Sequence, residues 1–390
     1  MKQLYTHINK ILVANIIVII VIPLLFQYCR KEIFISNEVV VDVLADETST
    51  IRALYLLNEG NMGSNKATLD YLDIQKGKYH RNIYATANPS VPKELGDVGN
   101  DIAIYGNKLY AVINASNKVE VMDKFSAKRI GQIDIPNCRY IRFHNGFAYI
   151  TSFAGAITIN PNYEQIGYVA KVDTASLNIV ATCNVGFQPE ELEIVGDKIY
   201  VVNSGGYMFP NYDNTVSVID INTFSEIKRI AVATNMNHIK KDMYGNLWVN
   251  ARGDNNSNGN ENSSLHWINT TDDSYGGEVD IKCDNFDICG DSLYSYSCFL
   301  NTVSMKNESD YNIVDVNVKS VVCYNFITDG TDANIKIPQG IIINPITKKI
   351  YITDAKNYVN SGSLHCYSPN GKHLWAVATG DVPASMVFFQ

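Results

Sequence analysis

A short unit recurs along this chain, and it limits the possible folds more than any other feature. In its clearest copy, Gly106 to Asp123, two β-rich runs, Lys108–Ile113 and Lys118–Met122, flank the polar turn Asn114–Asn117. Val, Ile and Tyr in runs of this length around a turn rich in Asn read as a β-hairpin. Gly146–Ile150 with Tyr168–Asp173 repeats the unit, as do Gly196–Asn203 with Thr215–Asp220 and Gly245–Asn250 with Leu265–Asn269. Gly290–Tyr294 with Asn312–Asp315 and Lys349–Thr353 with Ser363–Tyr367 complete the series. Tyr110, Tyr149, Tyr200, Trp248, Tyr294 and Tyr351 mark one position in these copies. A drifting period of roughly 40–55 residues with four strands per unit is the signature of a β-propeller.

The flanks supply one more unit. Ala53–Asn58, Ala67–Asp73 and Tyr79–Tyr84 match the second, third and fourth strands of the repeat, and Ala384–Phe389 at the other end of the chain matches the missing first. The expected fold is therefore all-β, a seven-bladed β-propeller over residues 51–390, closed by pairing of its N- and C-terminal strands so that no sheet edge is left bare. Residues 30–50 read as a tether, although Glu38–Leu44 has the composition of an extra strand.

The first 29 residues are of another kind. Lys2, His7 and Lys10 precede the apolar run Ile11–Phe26, and Cys29 follows at its end with Arg30, Lys31 and Glu32 behind it. A basic start, an apolar segment and a terminal Cys form a lipoprotein signal peptide with Cys29 as the lipidated residue. Tyr28 is bulkier than the small residue preferred before such a Cys. The rival is an uncleaved anchor helix, since Ile11–Tyr28 has about the 18 residues needed to span a bilayer. Both readings export the propeller and hold it at a membrane; the lipid-anchored one places it at the cell surface, on the outer membrane.

The formal net charge of −8 argues against nucleic acid as a partner, because phosphate binding needs clustered Lys and Arg. Seven Cys remain beyond Cys29, and five residues separate Cys283 from Cys289, which does not match a zinc site. They are expected to be buried free thiols in a monomeric domain.

In a propeller the loops joining strands two and three share one face with the loops between blades, and the tight turns share the other. Gly106-Asn107, Asn145-Gly146, Gly196-Asp197, Gly245-Asn246 and Gly290-Asp291 are tight turns. Every long loop falls on the opposite face: between strands two and three Gly60–Lys66, Phe153–Gly167, Ser204–Asn214, Arg252–Ser264, Phe299–Tyr311 and Asn357–Gly362, and between blades Thr86–Asn100, Pro136–Tyr140, Gly186–Glu191, Thr234–His238, Thr328–Gln339 and Gly380–Pro383. Long loops on a rigid scaffold are where binding sites are built. The candidate ligand-binding residues carried there are Asn61, Asn100, Asp101, Arg139, Tyr140, Phe153, Glu190, Tyr207, Tyr212, His238, Arg252, Asp287, Gln339 and Tyr358. Amides and rings in this mixture suit a large polar ligand. Tyr207–Tyr212, with two Tyr, a Phe and a Met in six residues, is expected to stand exposed as a contact surface.

No nucleophile motif or phosphate-cradling loop appears, so no catalytic residue and no metal ligand is expected. Glu190, Asn235, Asp287 and Asp354 are the residues that a metal-dependent, lactonase-like propeller would have to gather. Asp173-Thr174-Ala175 and Asp291-Ser292-Leu293 have the pattern of an O-glycosylation acceptor, and also that of a turn.

Leu57–Ser64, Glu94–Asp101, Asn137–Tyr140, Gln188–Glu191, Asn203–Tyr207, Asp213–Asp220, Thr353–Tyr358 and Thr379–Ala384 together resemble the YncE-like, DUF5074-type surface propellers of Bacteroidetes. That group includes the BtuG corrinoid-capturing lipoproteins, which sit on an outer-membrane vitamin B12 transporter. The resemblance implies a cell-surface, ligand-binding lipoprotein with no cofactor, a corrinoid as possible ligand and a TonB-dependent transporter as partner. Glycan binding and a protein-docking role stand beside it as alternatives, because Tyr, Phe and Asn loops suit a sugar or a protein equally well.

Overall fold

The computed structural model describes residues 39–91, 94–254, 263–301 and 303–389. The signal or anchor segment, Cys29 and the first part of the expected tether lie outside the described residues. The rest is a seven-bladed propeller of antiparallel sheets, six four-stranded and one five-stranded. Blade 1 runs outward from the channel as Gly99–Tyr105, Lys108–Ile113, Lys118–Asp123 and Arg129–Asp134. The inner strands of blades 2 to 6 are Cys138–His144, Pro189–Val195, Met236–Lys241, Asn285–Cys289 and Pro338–Ile343. In blade 7 the inner strand is Pro383–Phe389, paired antiparallel with Ala53–Asn58.

Burial explains why these runs are strands. The second strand of each blade faces a neighbour on both sides, and Ala53–Asn58 has every residue buried. Tyr55, Tyr110, Tyr149, Tyr200, Trp248 and Tyr351 are among the largest fully buried side chains, whereas Tyr294 is half-buried. They fill the gaps between blades: Tyr110 meets Phe143 of the next blade with ring centroids 4.8 Å apart, and Tyr351 meets Phe388 at 5.8 Å. Each such ring contributes about 2–3 kcal/mol of burial, repeated around the wheel. Outer strands alternate instead, exposing Ile130 and Ile179 to solvent.

Asp residues close the turns after the third strands. Asp123, Asp173, Asp220 and Asp315 each accept, on Oδ1, the backbone N–H groups two and three residues ahead. The acceptor-like Asp173–Ala175 is such a turn, and its Thr174 hydroxyl donates to the Gly146 carbonyl at 2.7 Å. The seven cysteines of the described part are all free, and Cys138, Cys183, Cys283 and Cys366 are buried.

Three local expectations differ from the structure. The fourth strand of blade 7 stops at Arg81, because Asn82 adopts a left-handed conformation and a short helix, Ile83–Ala87, follows. The helix buries Tyr84, whose hydroxyl donates to Glu120 at 3.0 Å. Phe299–Tyr311 is not a loop: Ser292–Asn301 and Lys306–Asp315 pair along their whole length, since Tyr296, Tyr311 and their neighbours continue the ladder. The second half of the expected tether lies on the body, with Val39–Asp42 forming a fifth, outermost strand against Lys78–Arg81. Asp46 then bonds Lys349 at 2.7 Å.

Candidate functional site

The inner strands share one irregularity. In blades 1, 2, 3, 4, 6 and 7 the pairing of the inner strand with the second strand shifts register near its start. A β-bulge sets two residues against one and re-aims a side chain. Here the doublets are Asn100/Asp101, Arg139/Tyr140, Glu190/Glu191, Asn237/His238 and Gln339/Gly340, with Ala384 in blade 7. Blade 5 has no such shift. Five blades also enter the inner strand through a left-handed residue, Val98, Asn137, Gln188, Asn235 or Val382, which turns the chain sharply from the blade before.

Residues of these doublets line one end of a cavity of ≈ 710 Å³ that runs along the central channel as far as Tyr105 and Phe143. Of the expected residues, Asn100, Asp101, Arg139, Tyr140, His238, Arg252 and Gln339 line it. A second cavity of ≈ 410 Å³ shares His238, Arg252 and Gln339 with the first and is walled by Tyr296, Phe299 and Tyr358. The paired hairpin of blade 5 therefore forms one side of the basin. Tyr358 is 45% exposed at its edge.

The carboxylates are held by the propeller itself. Asp101 Oδ2 accepts the Ile141 N–H at 3.0 Å, Glu191 Oε2 that of Ile239 at 3.1 Å, and Asp287 Oδ2 that of Ile343 at 2.8 Å. Blades 1, 3 and 5 are thus stapled to the inner strand of the next blade. Cations from blades 2 and 4 neutralise the staples. Arg142 bridges Asp101, at 2.9 Å, and Glu191, and Lys240 bonds Asp287 at 2.8 Å. Burial alone would raise the Glu191 carboxyl, but Arg142 and His238 hold it at about 2. Asp101 and Asp287, expected as ligand contacts, consequently have structural partners of their own.

Glu190 forms a separate group. Its two oxygens meet Arg139 Nε at 2.8 Å and Arg252 Nη1 at 3.4 Å, while the Arg139 guanidinium lies 4.9 Å over the Phe153 ring. Burial opposes ionisation of Glu190, yet the two guanidinium groups keep its carboxyl below the usual range. Across the cavity Glu59 accepts from Gln339 Nε2 at 3.2 Å. Burial pushes the Glu59 carboxyl up to about 7, against the opposing pull of Gln339, Arg139 and Arg252.

The aromatic cluster departs from expectation. Tyr207 is half-buried, its ring 5.2 Å from Phe153 and 6.4 Å from Tyr163, because its loop folds onto the neighbouring 153–167 loop and Asn160 donates to its carbonyl at 2.7 Å. Phe153 is itself buried, and Tyr212 pairs with Phe209, which is 47% exposed. Asn61, Phe153, Glu190, Tyr207, Tyr212 and Asp287 border neither cavity. Conversely, Glu59, Arg142, Asn237, Lys240 and Asn285 line the channel without having been singled out. A signal for two of them existed: Arg142 and Lys240 stand directly opposite the marker rings Tyr149 and Trp248 in the ladder.

Glu190, Asn235, Asp287 and Asp354 are not gathered. Asp354 accepts from Ile337 N and Lys356 N, and Asn235 donates to the Gly253 carbonyl. Among the described residues no group of three or more His, Cys, Asp or Glu is placed to hold a metal ion, and no helix is long and apolar enough to cross a membrane.

Comparison with known families adds one decisive match: a domain of unknown function, DUF5074, covers residues 52–388. The chain belongs to the DUF5074 family. No curated protein matches it. Among solved structures the DUF5074 propeller is similar to Kuenenia stuttgartiensis hydrazine synthase, at 14% identity and TM-score 0.60, over 74% of this chain and 88% of that one. It is also similar to a quinonprotein alcohol dehydrogenase-like protein from Bacteroides thetaiotaomicron, at 13% identity and TM-score 0.60, over 86% and 78% of the two chains. A protein named as a 6-phosphogluconolactonase from Bacteroides fragilis aligns at 10% identity and TM-score 0.59, over 88% and 99%. At these identities the likeness is one of fold, and the three names describe unrelated chemistries.

Proposed function

We propose that the DUF5074 propeller is a non-catalytic binding module that captures a corrinoid at the cell surface and passes it to an outer-membrane transporter. The observation that carries this reading is the pair of contiguous cavities, ≈ 710 Å³ along the channel and ≈ 410 Å³ among the loop-side residues Phe299 and Tyr358. A corrinoid is wide, nearly flat and edged with amides. Asn100, Asn237, Asn285 and Gln339 offer amide groups around the cavity, and Tyr358 offers a ring at the rim. Exposed apolar side chains on the surrounding loops, Met62, Ile159, Phe209, Val303 and Met305, favour a protein partner above the ligand. Lipidation of Cys29 would hold the module at the membrane, and mass spectrometry of the mature N-terminus tests it: an intact Met1–Arg30 peptide recovered from membranes would replace the lipid with an anchor helix.

Calorimetry of the protein with cyanocobalamin, cobinamide and a panel of neutral oligosaccharides tests the ligand. Heat from a corrinoid is the expected result, and Tyr358→Ala weakens it by about 1–3 kcal/mol, whereas Asn107→Ala on the tight-turn face changes nothing. Heat from a glycan with none from either corrinoid would overturn this reading. The half-exposed Tyr358 beside the Asn285 and Gln339 amides favours a glycan as the second ligand to try.

A further inference from the structure

The charged groups of the channel are not evenly balanced. Arg142 is shared by two carboxylates, Asp101 and Glu191, and Lys240 faces Asp287. At Arg139 and Arg252 the ratio reverses: among the described residues Glu190 is the single carboxylate within ion-pair distance of either guanidinium. Two cations on one anion leave an excess of positive charge in a chain whose formal net charge is −8.

The two arginines differ in how they are held. Arg139 is fixed by Glu190 at 2.8 Å and by the Phe153 ring, and its side chain is 15% exposed. Arg252 reaches Glu190 only at 3.4 Å, is 34% exposed, and borders both cavities. Asn237, His238 and Asn285 border the same two cavities. Glu59 is bonded to Gln339 and has no ion-pair partner among the described residues; burial pushes its carboxyl up to about 7, so it is protonated below neutral pH and offsets the excess only as pH rises through 7. A guanidinium fork beside amides in a walled cavity is the arrangement that recognises oxyanions, and low-dielectric walls focus its field on the opening.

We propose that Arg252, backed by Arg139 across Glu190, is a subsite for an oxyanion substituent of the ligand: a carboxylate, sulfate or phosphate. The inference rests on the reading of the long-loop end of the channel as a ligand site and adds the chemical group that the ligand presents there. Glu190 fixes the two guanidinium groups and also competes with the incoming anion. Removing it therefore strengthens anion binding, whereas removing Arg252 weakens it, a pair of opposite effects that loss of folding does not produce.

The test is calorimetric titration of the purified full chain with sodium phosphate, sodium sulfate and sodium glucuronate, each against sodium chloride at matched ionic strength. Glucose serves as the neutral counterpart of glucuronate. At least one oxyanion is expected to saturate where chloride and glucose do not. Arg252→Gln should weaken that anion about tenfold or more, and Glu190→Gln should tighten it severalfold. The tetrahedral anions and the planar carboxylate are separate arms, so the preferred one identifies the class of substituent. Absence of saturable oxyanion binding, or an affinity unchanged in both variants, overturns the inference. If Arg252→Gln misfolds by circular dichroism, the expected gain in Glu190→Gln decides alone. A corrinoid or oligosaccharide held equally by wild type and Arg252→Gln removes the anion subsite but leaves the binding module standing. Failure of every large ligand alongside saturable oxyanion binding does the reverse.

Discussion

Glu59 and Glu191 line one channel and answer to pH in opposite directions. The Glu59 carboxyl is raised from 4.5 to about 7 in the fold, so the folded state holds a proton that the unfolded chain releases. The resulting stability is present below about pH 4.5 and is lost as pH rises through 7, by about 3 kcal/mol at most. Glu191 is lowered from 4.5 to about 2, so its contribution is present above 4.5 and is lost as pH falls toward 2. Urea unfolding of Glu59→Gln against wild type from pH 4.5 to 8 should show the variant gaining relative stability as pH rises. Glu191→Gln should be destabilised at pH 7 by about 3–5 kcal/mol, because it strips Arg142 and the Ile239 N–H of a buried partner, and that deficit should shrink toward pH 2. A flat difference in both series would refute the burial and pairing described. Val98 offers a third residue-scale test. It holds φ 59° where blades 2 and 4 use Asn137 and Asn235. A β-branched residue there is strained, and Val98→Asn should raise stability by about 1 kcal/mol in the same assay.

The strands at the two ends of the described chain contribute unequally. Pro383–Phe389 is the inner strand of blade 7 and covers the fully buried Ala53–Asn58, whereas Val39–Asp42 lies at the outermost edge with all four residues exposed. A chain ending at Asp381 should lose its cooperative thermal transition or aggregate through the bared edge. One beginning at Val43 should melt within a few degrees of wild type. An unchanged melting temperature for the first, by scanning calorimetry, would mean that the terminal pairing does not hold the blade. The bulges belong to this scale too, and they explain what was legible in the sequence. Turn residues and the spacing of Tyr110, Tyr149, Tyr200 and Trp248 fixed strand two of each unit, because hydrophobic periodicity reports burial directly. The loops between blades are legible too, and Asn100, Arg139, His238 and Gln339, expected at their ends, lie in the first residues of the inner strands and line the cavity. Their pairing as doublets is not legible, since strict alternation sends neighbours to opposite faces and only a bulge breaks that rule. Tyr207 departs from expectation for a related reason: composition marks a ring as apolar but does not say that a neighbouring loop will cover it.

Across the whole molecule, seven blades meet at one channel, and a guest at its head touches most of them at once. Residues of all seven blades line the larger cavity. Binding there stabilises the native wheel by mass action, about 2.7 kcal/mol at one hundred times Kd. A saturating corrinoid should accordingly raise the melting temperature by several degrees in a single transition, and a ligand bound to one peripheral loop would not shift all blades together. The seven-fold fold was legible from the repeat alone, and the family match spans nearly the same residues, 52–388. The channel chemistry was not legible, because Arg142, Lys240 and Glu59 come from blades far apart in sequence and acquire their partners only on closure.

The wheel is nearly regular in backbone but not in what it shows the axis. Blades 1 to 4 carry long polar doublets, while blades 6 and 7 offer Gly340 and Ala384, a Cβ at Gly340 being barred by the Ala384 carbonyl oxygen. Below them lie Ile342, Met386 and Val387. Charged inner-strand side chains at the axis are thus confined to blades 1 to 5, while the inner strands of blades 6 and 7 carry Gln339 and Ser385 and no charge, which removes the seven-fold rotational degeneracy of the scaffold. A disc-shaped guest has one azimuth here instead of seven. Every copy of the protein that carries such a guest then turns the same edge of it toward whatever lies above the rim, so that a receiving surface needs to read only one orientation.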